Sequence, residues 1–353
     1  MEERLAARAG LAFETIETGQ LRGRDPWTAA RNLYRMFRGL RRSLRLVDSF
    51  DPDVVLVTGG YVCAPVVLAA RWRGRPVLIY LPDLTPGLAI RWLSRLSQQV
   101  AVTCPEAARH FPGKALVSGY PVRQTLLRAA ENRAAARRAF DLDPQEKTLL
   151  VFGGSRGARS INRALMACLP RLLPVCQVIH VSGHLDWPWM EEEAGKLPPP
   201  LRARYRPFAY LHEEMAQALA AADLVVSRAG AATLGEYTVL GLPSLLVPYP
   251  YAGRHQEANA RYLANHGAAQ ILDDAALSER LLPMLLTLLN DETALKRMGE
   301  RAHALARPQA AMRIAEALIT LARTGGGRKA RDQGRGSSVQ NERNTRFLSG
   351  QSV

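Results

Sequence analysis

The sequence predicts an α/β protein built from two Rossmann-like domains that face a cleft. Three observations lead to this prediction: the chain is long enough for two domains, short apolar segments alternate with helical patterns, and the alternation restarts near residue 148. Of the 353 residues, 47% are hydrophobic, which is enough to bury two cores. Continuous apolar strands bounded by Gly or Pro, with helices between them, are typical of parallel sheets covered on both faces.

Seven short apolar segments are predicted to form buried strands. In the first half of the chain they are DVVLVTG (53–59), PVLIYL (76–81) and QVAVT (99–103). After a stretch that contains Pro and many charged residues, the second half contributes TLLVFGG, QVIHVSG, ADLVVSR and PSLLVPY. Two blocks of this kind indicate two parallel sheets, each with its own helical layers.

The pattern divides the chain into four segments. We expect a first domain over residues 1–141 and a second over 142–305, followed by a helix over 306–324 that packs back on the first domain. Residues 325–353 are basic and lack apolar periodicity, so they are expected to form a disordered tail.

Composition limits the classes of function. The four cysteines are scattered without metal-ligand spacing, so neither a metal site nor a disulfide framework is expected. No run of 18 apolar residues and no signal peptide is found, which predicts a soluble cytoplasmic protein. The net charge of +15 favours an anionic polymer, substrate or membrane face. Nucleic acid is not expected, because no helix-turn-helix, zinc or RNA-binding signature accompanies the charge.

Part of the positive charge lies on a predicted amphipathic helix, RNLYRMFRGLRRSLR (31–45). Its apolar residues recur at helical spacing and leave the arginines on the other face; they are Leu33, Met36, Phe37, Leu40 and Leu44. Two interpretations remain open at this point. The helix is either an ordinary surface helix with solvated arginines or a patch that lies on an anionic membrane.

Two small-residue motifs follow predicted strands of the second block. GGSRGAR (153–159) opens a helix, where glycine lets a ligand approach the backbone and free N–H groups attract phosphate oxygens. SRAGAATLGE (227–236) exposes further amides, with the Thr233 hydroxyl at the helix start and Glu236 one turn inside. A carboxylate beside a phosphate site repels the phosphate but suits a ribose diol, whose hydroxyls donate to it.

A third motif, GRHQEANA (253–260), places Gln256 and Asn259 three residues apart on one helical face. Amides in this arrangement can read sugar hydroxyls by hydrogen bonding. Each motif alone is compatible with an ordinary turn or a solvated helix. Together, at the carboxyl ends of strands in one domain, they predict a nucleotide-sugar site.

Six motifs, in this order and approximate spacing, resemble the MurG-type N-acetylglucosaminyltransferases of peptidoglycan synthesis. They are GGYVCAP (59–65), SGYPVR (118–123), GGSRGAR, SRAGAATLGE, GLPSLLVPYP (241–250) and RHQEANA. The resemblance covers residues 1–323 and implies a GT-B fold. It also implies inverting transfer of N-acetylglucosamine from UDP-N-acetylglucosamine to an undecaprenyl-linked acceptor, lipid I, which makes lipid II at the cytoplasmic membrane face. On this basis the partners are the UDP-sugar, the lipid-linked acceptor and an anionic membrane surface, and no cofactor or metal is expected.

The resemblance also implies the site residues. The donor-binding positions are Arg123, Ser155, Leu211, Ala231, Ala232, Thr233, Glu236, His255, Gln256 and Asn259. The acceptor-side positions are Gly59, Gly60, Tyr61 and Asp83.

Two departures from the family pattern concern catalysis. The first histidine of the chain is His110, so the family's early GGTGGH-like loop, with its histidine, is absent. We therefore expect an incomplete first domain, an internal start codon and negligible turnover of the chain as given. The second departure is YLPDLTPG (80–87), where Asp83 occupies the position of a family asparagine and is the only candidate for a catalytic base.

Two alternatives to this function remain open. One is a related lipid-linked sugar transferase, such as an enzyme that acts on diacylglycerol. The other is a non-catalytic protein that binds UDP-sugars at the membrane.

Overall fold

In the computed structural model of the chain, two parallel β-sheets each form the centre of an α/β unit. The structure describes residues 3, 6–7, 10–16, 26–60, 62–154, 156–250 and 255–325. The tail predicted over 325–353 lies outside these residues from position 326 onward. No helix within the described ranges is long and apolar enough to cross a bilayer.

Within the described residues, the first sheet has four parallel strands in the order β1-β2-β3-β4. Its strands are β1 (Val55–Val57), β2 (Val77–Leu81), β3 (Gln99–Val102) and β4 (Ala115–Val117). The helices of this part of the chain are α1 (Pro26–Phe50), α2 (Cys63–Trp72), α3 (Leu88–Leu93) and α4 (Pro105–Ala108). Every residue of β2 is buried, as expected for a central strand with helices on both faces.

The second sheet, as far as the structure describes the chain, has six parallel strands in the order β10-β9-β8-β5-β6-β7. Its strands are β5 (Thr148–Phe152), β6 (Gln177–Val181), β7 (Tyr205–Phe208), β8 (Leu224–Ser227), β9 (Ser244–Leu246) and β10 (Ala269–Ile271). The order reverses between β5 and β8, which are neighbours paired from Leu149 opposite Leu224 to Phe152 opposite Ser227. A crevice opens at such a reversal, outside the carboxyl ends of the strands.

The remaining helices join and cover these strands. They are α5 (Gln124–Ala130), α6 (Arg133–Arg138), α7 (Arg159–Leu172), α8 (Trp187–Gly195), α9 (Pro199–Arg202), α10 (Met215–Ala221), α11 (Thr233–Leu240), α12 (His255–Asn265), α13 (Leu277–Asn290), α14 (Glu292–Ala304) and α15 (Ala310–Gly325), with a 3₁₀ turn at Asp274–Ala276 before α13.

Helices α5 and α6 pack against α10 of the second unit, although the sequence pattern assigned them to the first domain. Arg137 explains why: it is buried, its Nε donates to the Ala221 carbonyl at 3.0 Å, and its Nη2 donates to Asp223 at 2.5 Å. The chain therefore crosses between the units after β4, near Ser118–Val122, rather than at residue 141. Helix α15 returns to the first sheet, where Ile314 packs with Leu78, Tyr80 and Ala101.

Helix α1 is amphipathic, as its sequence predicts, and it packs against α2. Leu40 and Leu44 are half-buried on the side that faces the protein. Tyr34 and Phe37 are 62% and 56% exposed, on the same side as several arginines. Leu33 is part of the helix, but its side chain is not described. Thus Met36, Leu40 and Leu44 of the predicted apolar stripe are half-buried, while two aromatic rings lie in the basic outer face.

Candidate functional site

The sequence motifs of the second unit meet at a cavity of about 680 Å³, which lies where the strand order reverses between β5 and β8. All three strand-end motifs of the second unit contribute to its walls. The lining residues are Phe152, Gly153, Gly154, Arg156, Gly157, Ala158, Arg159, Ser160, Arg228, Gly230, Ala232, Thr233, Glu236, Tyr237, Tyr249, Gln256 and Asp274. A volume of this size fits a nucleotide-sized ligand.

The loop after β5 forms one wall, and its shape requires glycine. Gly157 has φ of +76°, and a Cβ at this position would overlap the carbonyl oxygen of Ser182. The loop thus lies in direct contact with the turn after β6 and leads into α7, whose first-turn N–H groups have no partner within the helix. This arrangement is typical of phosphate sites. Ser155, a predicted donor contact, lies outside the described residues.

The loop after β8 and the start of α11 form the opposite wall. The Thr233 hydroxyl donates to the Gly230 carbonyl at 2.7 Å, which fixes the turn into the helix. The Glu236 side chain is only 17% exposed, and Arg123 approaches its carboxylate at 3.8 Å. Burial raises the pKa of Glu236, while the Arg123 charge acts in the opposite direction. The carboxylate therefore faces the cavity from a poorly hydrated position, ready to accept hydrogen bonds from ligand hydroxyls.

Arg228 supports the cavity floor, and sequence reasoning did not single it out. Its guanidinium is 10% exposed, pairs with Asp274 at 2.6 Å and donates to the Ser160 hydroxyl at 2.9 Å. It also donates to the carbonyls of Val247 and Pro248. Arg228, directly after β8, thereby joins the start of α7, the loop after β9 and the 3₁₀ turn after β10. The signal was present, since Arg228 is the one large side chain in the small-residue stretch SRAGAA (227–232).

Of the two amides predicted on helix α12, only one lies at the cavity. Gln256 lines the cavity, and its Oε1 accepts a hydrogen bond from the Tyr249 amide at 2.9 Å. Asn259 is fully buried and contacts the first unit instead of the cavity, as does His255. Leu211 is 7% exposed, and neither it nor Ala231 contributes to the cavity wall.

The acceptor-side positions follow strands of the first sheet. Gly59 and Gly60 come after β1 with φ of +109° and +88°, a backbone region that favours glycine. Tyr61 lies outside the described residues. Asp83 lies after β2, and its Oδ1 accepts a hydrogen bond from Asn259 of the second unit at 2.9 Å. The carboxyl end of β2 therefore faces the second unit across the cleft.

A buried polar network lies beside the loop after β5 and includes residues of the first turn of α7. Asp186 accepts hydrogen bonds from Arg159 Nε at 2.7 Å and from Asn162 Nδ2 at 2.8 Å. Asn162 Oδ1 lies 3.0 Å from His180 Nε2, and His180 Nδ1 lies 2.8 Å from the Tyr205 hydroxyl. Burial lowers the pKa of His180 to about 3, so the imidazole is neutral and donates from Nε2. Burial opposes ionisation of Asp186, but its hydrogen bonds from Arg159 and Asn162 keep its pKa below the ordinary value.

This network predicts a pH dependence of stability. Below about pH 6.5 the unfolded chain binds a proton at His180 that the folded protein excludes. The free energy of unfolding therefore decreases as the pH is lowered, by up to about 1.4 kcal/mol per pH unit. Urea unfolding at pH 7, 6 and 5 measures the slope. His180→Gln, which cannot titrate, should show a flatter slope, whereas the exposed control His303→Gln should match the wild type. Equal slopes for all three proteins would contradict the assignment.

Comparison with known proteins places this geometry in a family. Residues 148–314 match the glycosyltransferase family 28 C-terminal domain, and residues 1–102 match its N-terminal domain. A Roseiflexus sp. (strain RS-1) protein is 42% identical over 91% of this chain and 81% of its own length. It is named "UDP-N-acetylglucosamine--N-acetylmuramyl-(pentapeptide) pyrophosphoryl-undecaprenol N-acetylglucosamine transferase". The chain belongs to the MurG-type transferases of glycosyltransferase family 28.

Other relatives of this MurG-type chain agree. The Bacillus subtilis (strain 168) protein of the same name is 35% identical over 91% of the chain and 88% of its own length. The crystal structure of Acinetobacter baumannii MurG superposes with a TM-score of 0.70 at 27% identity, covering 91% of this chain and 88% of that one. A UDP-GlcNAc 2-epimerase from Neisseria meningitidis has a TM-score of 0.63 at 14% identity, over 91% and 88%, which shows the shared fold alone. The predicted family, the GT-B fold and the transferase class are thus confirmed.

Proposed function

We propose that the chain transfers N-acetylglucosamine from UDP-N-acetylglucosamine to an undecaprenyl-diphosphate-linked muramoyl-pentapeptide, with inversion at the sugar carbon. The observation that carries this proposal is the single cavity in which a glycine-rich loop, a helix start and the buried Glu236 face one another. The curated relatives are named for this reaction, and they align with most of this chain.

We assign the donor one orientation in the cavity. The diphosphate lies against the loop after β5 and the start of α7, where backbone amides and the Arg156 side chain, which lines the cavity, supply positive potential. The ribose diol donates to Glu236, and the sugar hydroxyls bond to Gln256. Six further positions of the predicted donor set are assigned to the segments around the nucleotide: Arg123, Ser155, Leu211, Ala231, Ala232 and Thr233. The last two, His255 and Asn259, contact the loop after β2 instead.

The chemistry is a displacement at the anomeric carbon. A hydroxyl of the acceptor attacks C1 of N-acetylglucosamine and the new C1–O bond forms, while the bond from C1 to the β-phosphate oxygen breaks and its electron pair leaves with UDP. The proton of the attacking hydroxyl passes to solvent water. The charge that develops on UDP is stabilised by Arg156 and by the amides at the start of α7, which are fixed before the reaction begins. We expect the acceptor to enter from the first unit, past Gly59, Gly60 and the loop at Asp83.

The test is a transfer assay with radiolabelled UDP-N-acetylglucosamine and three acceptor conditions: a lipid I analogue, diacylglycerol and no acceptor. Labelled product with the lipid I analogue alone supports the proposal. Product with diacylglycerol would favour the related lipid glycosyltransferase. Tight UDP-sugar binding with no product under any condition would favour a non-catalytic binding protein.

A lipid-linked acceptor requires the enzyme to lie on the membrane beside its acceptor loop. Helix α3 follows that loop directly, and its Leu88 and Trp92 side chains are 70% and 67% exposed. Arg91 and Arg95 flank them, with the Arg95 guanidinium 4.6 Å from the Trp92 ring. Exposed apolar side chains among arginines favour an anionic lipid surface. We assign this surface to peripheral binding at the cytoplasmic face, with the outer face of α1 as a second contact.

Removal of the apolar part of α3 is expected to weaken vesicle binding. The double variant Leu88→Ser with Trp92→Ser should bind vesicles of mixed neutral and anionic lipid about 10-fold less tightly, because two side chains that enter the interface are lost. Co-sedimentation measures the affinity. Met312→Ser with Ile319→Ser, which likewise removes two exposed apolar side chains but from α15, is the control. If both double variants bind like the wild type, α3 does not contact lipid.

A further inference from the structure

The two units of the enzyme are joined across the cleft by one buried amide. Asn259 lies on α12, three residues after Gln256, and is 0% exposed. Its Nδ2 donates to Asp83 Oδ1 at 2.9 Å and to the Ala229 carbonyl at 3.2 Å, and its Oδ1 accepts from the Leu84 amide at 3.0 Å. Two of these three bonds are to the loop after β2 of the first unit.

Only a carboxamide satisfies this set of partners. Both N–H groups of Asn259 are used by acceptors, one of them a carboxylate, and its oxygen is used by a backbone donor. An aspartate at this position cannot donate to Asp83, and an aliphatic residue leaves buried polar groups without partners, which is costly. One turn earlier, His255 Nδ1 lies 3.1 Å from the Thr85 hydroxyl, so a second bond from the same helix holds the same loop.

The neighbouring contacts keep these two surfaces close. Tyr120, in the crossing segment, packs so near Gly235 of α11 that a Cβ on Gly235 would lie 2.6 Å from the Tyr120 Cβ. The Arg123 guanidinium, in the same segment, approaches Glu236 at 3.8 Å. Asn259 thus lies at the junction of three elements: the sugar-binding helix α12, the loop after β8 and the acceptor-side loop.

We propose that Asn259 is a positioning residue that fixes the Asp83–Thr85 loop against α12 and so sets the closed geometry of the cleft. Asp83 then serves as the charged acceptor of this cross-cleft bond, rather than as the base that removes the acceptor proton. Because Gln256 and Asn259 share one helix, the donor sugar and the acceptor-side loop are held in a fixed relation. This inference rests on the proposed function for its kinetic consequences, but not for the structural ones.

The roles of Asn259 and Asp83 can be separated by exchanging the amide and the carboxylate between the two positions. Asn259→Asp places two carboxylates face to face and should lower kcat/KM for the acceptor by about 30-fold, within the usual range of coupling between sites. Asp83→Asn keeps an oxygen that accepts from Asn259, so it should lower kcat/KM by only about 3-fold, because the hydrogen bond remains but loses the strength that the carboxylate charge gives it. The double variant Asp83→Asn with Asn259→Asp restores an amide–carboxylate pair and should recover most of the loss seen in Asn259→Asp.

Two further measurements separate positioning from general damage. The affinity for UDP, measured by calorimetry, should change by less than about 3-fold in each variant, since the cavity wall is intact. Small-angle X-ray scattering should show a larger radius of gyration for Asn259→Asp and a wild-type value for the double variant. Asn265→Asp, the same change at an exposed position of α12, is the matched control for both. Thr85→Val, which removes only the His255 bond, should shift acceptor kcat/KM in the same direction by a few-fold.

Failure of the double variant to recover either transfer or the scattering radius would overturn the proposal. So would a loss of transfer in Asp83→Asn as large as that in Asn259→Asp, since this result assigns Asp83 to proton removal. If the chain transfers no sugar to any acceptor, the proposed function fails, but the scattering comparison of the four proteins still decides the cross-cleft contact.

Discussion

Replacing Glu236 by alanine is expected to weaken UDP binding by about 5- to 150-fold, equivalent to about 1–3 kcal/mol. The carboxylate is largely buried on the cavity wall and already has its pKa raised by burial, so it gains hydrogen bonds when ribose hydroxyls replace the little water that reaches it. Without it, the two hydroxyls enter a poorly hydrated site and have no acceptor. Arg123 also loses its nearby countercharge, which adds to the change in the nucleotide site.

Titration calorimetry of the full chain with UDP and with UDP-N-acetylglucosamine measures this loss. Glu279→Ala removes an exposed glutamate at the start of α13, away from the cavity, and should bind UDP like the wild type. Glu236→Gln keeps an oxygen acceptor and should lie between alanine and wild type. Equal affinity for Glu236→Ala and wild type would remove the ribose assignment, and with it the observation on which the proposed function depends.

Gly157→Ala is expected to have a larger effect, lowering UDP affinity by more than 100-fold or unfolding the loop entirely. Its φ of +76° disfavours any residue with a Cβ, and the added atom would overlap the Ser182 carbonyl oxygen, which is part of the rigid turn after β6. Relief of this overlap moves either the loop after β5 or the turn that carries Ser182. The former displaces the diphosphate amides, and the latter disturbs the Asp186–Asn162 network.

Calorimetry with UDP and urea unfolding together report on Gly157→Ala. Gly195→Ala is the control: Gly195 ends α8 with no atom within 4 Å of a new Cβ, so it should be neutral or slightly stabilising. A fall in UDP affinity with an unchanged unfolding midpoint would show that the loop itself moves. Wild-type values for both quantities would mean that the loop tolerates a side chain, and the phosphate assignment would lose its structural basis.

The strands predicted from the sequence are all present, and those that were missed share one property. β4, β7 and β10 were not predicted, and each lies at the edge of its sheet. An edge strand is covered on fewer sides than an interior one, so it needs no long apolar run: β7 and β10 carry polar residues or Pro, as in YRPF and AQI, and β4 has only three apolar residues. β1 also lies at an edge, but it was predicted because its segment keeps an apolar run. The interior strands are buried on both faces, which forces the apolar runs from which they were predicted.

The boundary of the first unit is a second feature that the local sequence pattern did not predict. Helices α5 and α6 have sequences that are compatible with packing on either sheet. Their place on α10 is decided by Arg137, which reaches the Ala221 carbonyl and Asp223 more than 80 residues along the chain. No periodicity within residues 124–138 carries this information.

The sequence by itself determined the fold class and the family, and it pointed to the glycine- and Glu236-containing loops of the proposed donor site. These features depend on local chemistry: burial on both strand faces requires apolar runs, and close approach of a phosphate requires small residues followed by a helix start. Only the tertiary structure decided which polar residues meet. Arg228 pairs with Asp274 and Asn259 with Asp83 because strand order brings distant loops to one cleft, and a buried polar group must find its partner wherever the fold places one.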